Sequence, residues 1–245
     1  MNGEARQNLR ISGSGDANGG VYDEVRLSGS SDIHGDIDCN NIKISGSSDV
    51  HGSIKAKTAE ISGSSDINGS LTAEEYVRIS GSSDIYGDVT TKKIRISGSS
   101  DIKGNLRAEE VELSGASDIT KNCETENFHG RGCFDIGGLL NADIIDIEID
   151  GRSSVSEIGG EKIKIKYQDR NSMGLKNFIK DIFNMKEYLK THLIEGDDIY
   201  IEGTNADIVR GSTVTIGEGC SIGLVEYKDE IKVHEGATVR EQRKI

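Results

Sequence analysis

Apolar and polar residues alternate along most of this chain, and between Leu9 and Ile119 the alternation is copied seven times with little change. In the plainest copy, Ile42 and Ile44 point one way and Lys43 the other; after Gly46-Ser47-Ser48-Asp49 the inward set resumes at Val50, Gly52, Ile54 and Ala56. Period two marks half-buried strands. The first glycine of each copy stands at Gly13, Gly29, Gly46, Gly63, Gly81, Gly98 and Gly115, in steps of 16, 17, 17, 18, 17 and 17 residues. A second follows six positions later, at Gly19, Gly35, Gly52, Gly69, Gly87 and Gly104. Such a unit is too short for a βαβ crossover, which needs about thirty residues. It suits one coil of a solenoid, where each unit buries its apolar side only by stacking on its neighbours.

The expected fold is therefore all-β, a parallel β-helix solenoid of about 17-residue rungs, with right-handed coiling favoured by the general crossover preference. A left-handed hexapeptide solenoid is the alternative, and the inward spacing of Ile61, Ile67 and Leu71 fits it less well. The 18-residue step carries its extra residue between Ala73 and Val77, at a corner. Beyond Glu124, Phe134, Ile136, Leu139, Ala142, Ile144, Ile147, Ile149, Ile163 and Ile165 read as inward positions of diverged rungs. The alternation returns in Ile199–Ile201, Val214–Ile216 and Ile231–Val233. The division expected is a flexible stretch 1–8, regular rungs 9–123, diverged rungs 124–171, a helical insertion 172–192, and rungs with a short charged tail over 193–245.

That insertion rests on a change of period. From Ser172 to His192, Leu175, Phe178, Ile182, Met185 and Leu189 follow 3-4-3-4 spacing, with Ile179 and Phe183 widening the stripe. This predicts an amphipathic helix with Ser172 as N-cap. One reading packs the stripe on the solenoid. The other, helped by Lys176, Lys180, Lys186 and Lys190, lays it on a membrane surface or a partner, with Leu175, Phe178, Ile179, Ile182, Phe183 and Leu189 as contact residues.

Composition narrows the function. Apolar residues are 34% and aromatics 4%, poor for a globular core but enough for a ladder of β-branched side chains. A net charge of −13 argues against nucleic acid, which needs a concentrated basic surface. Proline is absent, as suits a chain whose backbone donates to ladders. Met1–Asn8 lacks an apolar leader and no apolar run reaches membrane-spanning length, so a cytoplasmic location is expected. Cys39, Cys123, Cys133 and Cys220 are irregularly spaced and read as reduced, buried fillers; Cys39 occupies the position of Ala56, Ala73 and Ala108.

The repeat also writes columns of charge. Asp16, Asp32, Asp49, Asp66, Asp84, Asp101 and Asp118 stack, and like charges about 4.8 Å apart repel by about 1 kcal/mol per pair in water. Compensation is expected from a Gly-Ser-Ser-Asp turn whose backbone N–H groups the carboxylate accepts, with a calcium column as the alternative. A second column, Arg10, Arg26, Lys43, Glu60, Arg78, Arg95 and Glu112, is interrupted by its two glutamates and reads as a solvated face. His34 and His51 fall at an outward position, and Cys123, His129 and Cys133 lack zinc-site spacing. A serine column at the bend raises ice or carbohydrate binding only weakly. No nucleophile triad, phosphate loop or dinucleotide fingerprint occurs in a suitable context. The expectation is a non-enzyme with no catalytic residues, no cofactor and no metal.

The run Ser31-Asp-Ile-His-Gly-Asp-Ile-Asp-Cys-Asn-Asn-Ile-Lys-Ile-Ser-Gly-Ser-Ser-Asp-Val-His-Gly-Ser-Ile54 resembles the bactofilins, polymer-forming cytoskeletal proteins of bacteria. The resemblance implies a right-handed β-helix that polymerises without nucleotide into filaments, often near the membrane, with roles in cell shape, motility or envelope organisation. This chain departs from the family's usual short core with proline-containing tails: it lacks proline, is longer, and carries the segment after Ser172. Physics points to assembly independently, because unblocked strand edges template pairing with another chain. The candidate assembly residues are Leu9, Ile11, Ile231 and Val233. The expected partner is the chain itself, with a membrane surface or envelope proteins as further candidates. The competing reading is a monomeric binding scaffold that presents a charged ladder to a protein, metal ion or carbohydrate.

Overall fold

A computed structural model describes residues 6–167 and 188–245. Its residues group into two compact units, Met1–Asn122 and Cys123–Ile245.

In the first unit the copies become parallel ladders. β1 (Gln7–Val50), β2 (Ile54–Ile67), β3 (Leu71–Ile85), β4 (Val89–Thr90), β5 (Lys93–Ile102), β6 (Leu106–Arg107) and β7 (Glu110–Ile119) place identical positions side by side. Ile44 pairs with Ile61, then Ile79, Ile96 and Leu113; Val50 pairs with Ile67, then Ile85, Ile102 and Ile119. These columns are buried, along with Ile54, Leu71, Val89 and Leu106. The alternation therefore does what period two requires, one set filling the core and the other facing out. Cys39, Ala56 and Ala73 share a tight inward position. The extra residue of the long copy appears as a register shift, with Ala56 on Ala73 but Thr58 on Tyr76.

Two structural reasons fix the glycines. The first-glycine column has φ between +113° and +139° in this unit, a left-handed bend that L side chains avoid. Its members from Gly29 onward also sit directly on the glycine of the preceding rung, where a Cβ would strike backbone. The Gly-Ser-Ser-Asp stretch is not the closed turn expected from the sequence. Gly63–Asp66 lies inside β2 and Gly81–Asp84 inside β3, and both pair rung to rung throughout. The neighbouring rung already uses those backbone groups, so the chain bends at glycine without leaving the ladder. The second serine then points inward: Ser31, Ser48, Ser65, Ser83, Ser100 and Ser117 are all buried.

The second unit holds β8 (Cys123–Ile149), β9 (Arg152–Tyr167), β10 (Tyr188–Ile201), β11 (Thr204–Ile216), β12 (Ser221–Val233) and β13 (Thr238–Lys244), again in parallel register. Phe128 and Phe134 meet edge to face at 5.7 Å inside it. Two inward assignments are corrected. Leu139 and Ile144 are 37% and 43% exposed, and Leu140 and Ile145 take the core places. Each pair is an apolar doublet, and a register shift between Ile136 and Leu139 chooses the second member.

The helical insertion needs correction at its end. Residues 168–187, with Leu175, Phe178, Ile179, Ile182 and Phe183, lie outside the described residues. Tyr188–His192 is strand, and Leu189, read as part of the helical stripe, is fully buried between Ser153 and Thr204. Among the described residues there is no helix. Val239–Lys244, expected as a charged tail, belongs to β13 and pairs with β12.

Candidate functional site

The structure concentrates its chemistry in columns on outward faces and in the outermost rungs. Leu9 and Ile11, on the first rung, are half-buried despite occupying core register, as is Ile231; Val233 is 39% exposed. β1 and β13 stand at the two ends of the strand order. Nothing among the described residues pairs with the outer side of β13.

The mixed-sign column proves to be an ion-pair ladder. Lys43 meets Glu60 at 2.8 Å and Arg95 meets Glu112 at 2.7 Å, while Lys93 bridges Glu110 at 2.7 Å and Glu112 at 3.4 Å. The glutamates that interrupt the basic run in sequence are thus its partners in space. The Lys43 hydrogen bond, with help from the Lys43 and Arg78 charges, holds Glu60 below the usual carboxylate range. Such exposed pairs add little stability individually.

The aspartate column is less well compensated. Burial raises the Asp66 carboxyl, Asp49 and Asp84 above and below it raise it further, and the backbone N–H of Asp84 only partly offsets this. Asp101 is relieved by Lys103 at 2.6 Å. The described residues contain no group of three or more His, Cys, Asp and Glu side chains arranged to hold a metal.

A ladder that the sequence reading missed runs just past the second glycines. The Ser53 N–H donates to Asp36 Oδ1 at 2.7 Å, the Ser70 N–H to Ser53 Oγ at 3.1 Å, the Asp88 N–H to Ser70 Oγ at 3.2 Å and the Asn105 N–H to Asp88 Oδ1 at 2.7 Å. Each short polar side chain accepts an N–H of the next rung, beside the backbone bonds that Ile37, Ile54, Leu71 and Val89 donate to the carbonyls of Ser53, Ser70, Asp88 and Asn105. The recurrence of Asp, Ser and Asn after Gly was the available signal.

The remaining candidates are unreactive or peripheral. Burial pushes the thiols of Cys39 and Cys220 up to about 11 and that of Cys123 up to about 12, far from a nucleophile's range. Cys133 is exposed. His34 and His51 stack at the surface with centroids 5.3 Å apart, and His51 meets the Asn68 amide at 2.9 Å. Among the described residues no helix is long and apolar enough to cross a membrane, which leaves strands unaddressed.

Parallel ladders and glycine-stacked bends define a β-solenoid. A profile of the bactofilins, described as polymer-forming cytoskeletal, matches residues 9–107 and 61–154, together more than half of the 245 residues. The chain belongs to the bactofilin family. It is similar to the uncharacterized protein YhbF of Bacillus subtilis (strain 168), 36% identical over 110 residues, covering 44% of this chain and 42% of that protein. It is also similar to the uncharacterized protein YhbE of the same organism, 35% identical over 111 residues, covering 45% and 44%. The chain thus spans less than half the length of the curated relatives it matches. No solved structure matches it.

Proposed function

We propose that this chain is a non-enzymatic cytoskeletal subunit that associates with its own copies end to end, through the outermost rungs, without nucleotide. The observation that carries this reading is the incomplete burial of core-register residues on those rungs: Leu9, Ile11 and Ile231 are half-buried and Val233 is 39% exposed, whereas their counterparts in inner rungs are buried. Apolar surface beside an unpaired ladder edge gains both hydrogen bonds and burial when a second chain adds to it. Family membership supports the same direction. Such polymers would serve cell shape, motility or envelope organisation from the cytoplasm, with a membrane surface or envelope protein as a further partner.

Analytical ultracentrifugation and negative-stain electron microscopy at micromolar protein, without nucleotide, test the proposal. Fibres or large species that shrink in Ile11→Lys and Val233→Lys variants are expected. A monodisperse monomer across a range of salt concentrations refutes it and leaves the scaffold reading.

A further inference from the structure

β12 is buried along one half and open along the other. Ile222, Val225 and Glu226 are buried, but from Lys228 onward every residue of the strand is exposed or half-buried. Residue type does not cause the change: Ile231 and Val233 continue the register of Val214 and Ile216, which are fully buried. The boundary falls where β13 stops, its last pair being Tyr227 with Lys244. What buries the first half of β12 is therefore β13 itself.

β13 is built unlike the rungs it covers. Over the core places of Ile222 and Val225 it sets Val239, half-buried, and Gln242, exposed. Arg240, Glu241, Arg243 and Lys244 make up four of its seven residues. A further rung stacked on β13 would bury that glutamine in a core column and meet a charged edge, and both disfavour pairing. Solenoid ends are closed by such polar outer faces. Three of the four charges are positive, so two of these strands brought face to face also repel.

The hold of β13 on β12 is modest. The Thr238 N–H donates to Cys220 O at 2.8 Å and the Ile245 N–H to Tyr227 O at 3.0 Å, bracketing six register pairs. Arg243 supplies a side-chain tie, donating to the buried Glu226 at 3.1 Å. An edge strand with one half-buried apolar side chain belongs to the part of a fold that opens first. It joins β12 through a turn at 234–237, where the Ala237 N–H donates to His234 O at 3.0 Å.

We propose that β13 is a displaceable cap that restrains self-association at this end. With β13 lifted, Ile222 and Val225 join Ile231 and Val233 in one apolar surface for a second copy. The cap rests on the end-to-end assembly proposed above and sets its extent.

Sedimentation velocity and electron microscopy test it by comparing the full chain with a chain truncated after Ala237, circular dichroism confirming the strand content of both. The truncated chain should form fibres at an at least tenfold lower concentration, and adding Ile222→Lys should cancel the gain. Arg243→Glu, which keeps the strand but sets a like charge against Glu226 and Glu241, should lower the threshold severalfold; where the truncated chain does not fold, this variant decides. Equal thresholds overturn the cap and leave the assembly reading standing, whereas monomers throughout overturn both. Assembly lost on truncation makes β13 the contact itself and overturns the cap, as does amorphous aggregate in place of fibres. A full chain that stays monomeric while the truncated chain forms fibres supports the cap and refutes assembly of the intact chain.

Discussion

Glycine in the two columns does two jobs, and substitution at three positions separates them. At Gly35 the backbone has φ +107°, but the nearest atoms to an added Cβ are 3.8 Å away, so Gly35→Ala meets backbone strain alone. At Gly52 no left-handed φ is involved, but the Cβ would fall 2.5 Å from Gly35 O and 2.7 Å from Asp36 N. At Gly81 both apply, with φ +134° and a Cβ pressed on the Gly63 carbonyl oxygen and 2.8 Å from its nitrogen. Left-handed backbone costs an L residue about 1–2 kcal/mol, and the smaller entropy of the unfolded alanine chain returns about 0.4–1 kcal/mol. Overpacking against a surround that must shift costs about 1–3 kcal/mol. The expected losses are about 1 kcal/mol each for Gly35→Ala and Gly52→Ala and about 3 kcal/mol for Gly81→Ala, where both costs add. Urea unfolding followed by far-UV circular dichroism reads them directly. Equal losses at Gly35 and Gly81 would mean that rungs part freely to admit a methyl group, and the close-stacking argument would fail.

Other outcomes follow from individual columns. The hydroxyls of Ser65, Ser83 and Ser117 are buried without hydrogen-bond partners, so Ser65→Ala should leave stability unchanged or raise it by up to about 1 kcal/mol in the same urea assay. Ser48→Ala should lower it by about 1 kcal/mol, because Ser31 Oγ loses its 2.9 Å partner. Asp66 has its carboxyl raised in the folded state, so its ionised form costs stability above that range and the cost disappears as falling pH protonates it. Asp66→Asn should therefore raise the thermal midpoint at neutral pH and give no gain in strong acid; a pH-independent gain would deny the electrostatic cause. Ile79→Ala, in a fully buried column, should cost about 2–5 kcal/mol.

Much of this architecture was legible because a solenoid repeats its instructions. One strict period gave the inward columns of Ile44 and Val50, and the length of one step located the bulge at Tyr76. What escaped were positions where hydropathy does not choose. Leu139-Leu140 and Ile144-Ile145 offer two candidates for one core place, and only the ladder register decides. The inward serine column was hidden by its own polarity: Ser48 reads as loop chemistry, yet the glycine bend before it turns the strand without breaking the alternation. Leu189 satisfied a helical spacing by coincidence, as an inward strand residue at the boundary of a segment with a different period. The assembly candidates could be ranked only by their place in the rung order, which no single residue encodes.

The two units also treat charge differently, and the reason lies in repetition itself. When every copy of a rung is alike, each outward column carries one residue type, so a charged column repels itself by construction. The aspartates of the first unit show this, with Asp66 pressed by Asp49 and Asp84. Where copies have diverged, columns can alternate. In the second unit Glu195, Arg210, Glu226 and Arg243 follow one another in register, Arg210 bridging Glu195 at 3.0 Å and Glu226 at 2.9 Å, and Arg243 reaching Glu226 at 3.1 Å. Even in the first unit the compensated column is the one that varies, through Glu60 and Glu112. Divergence therefore relieves strain that exact copying builds in. Introducing a lysine into the aspartate column, as Asp66→Lys, should stabilise the first unit beyond Asp66→Asn at low ionic strength, and the difference should shrink as added salt screens it. No difference between the two variants would place the cost of Asp66 in burial alone.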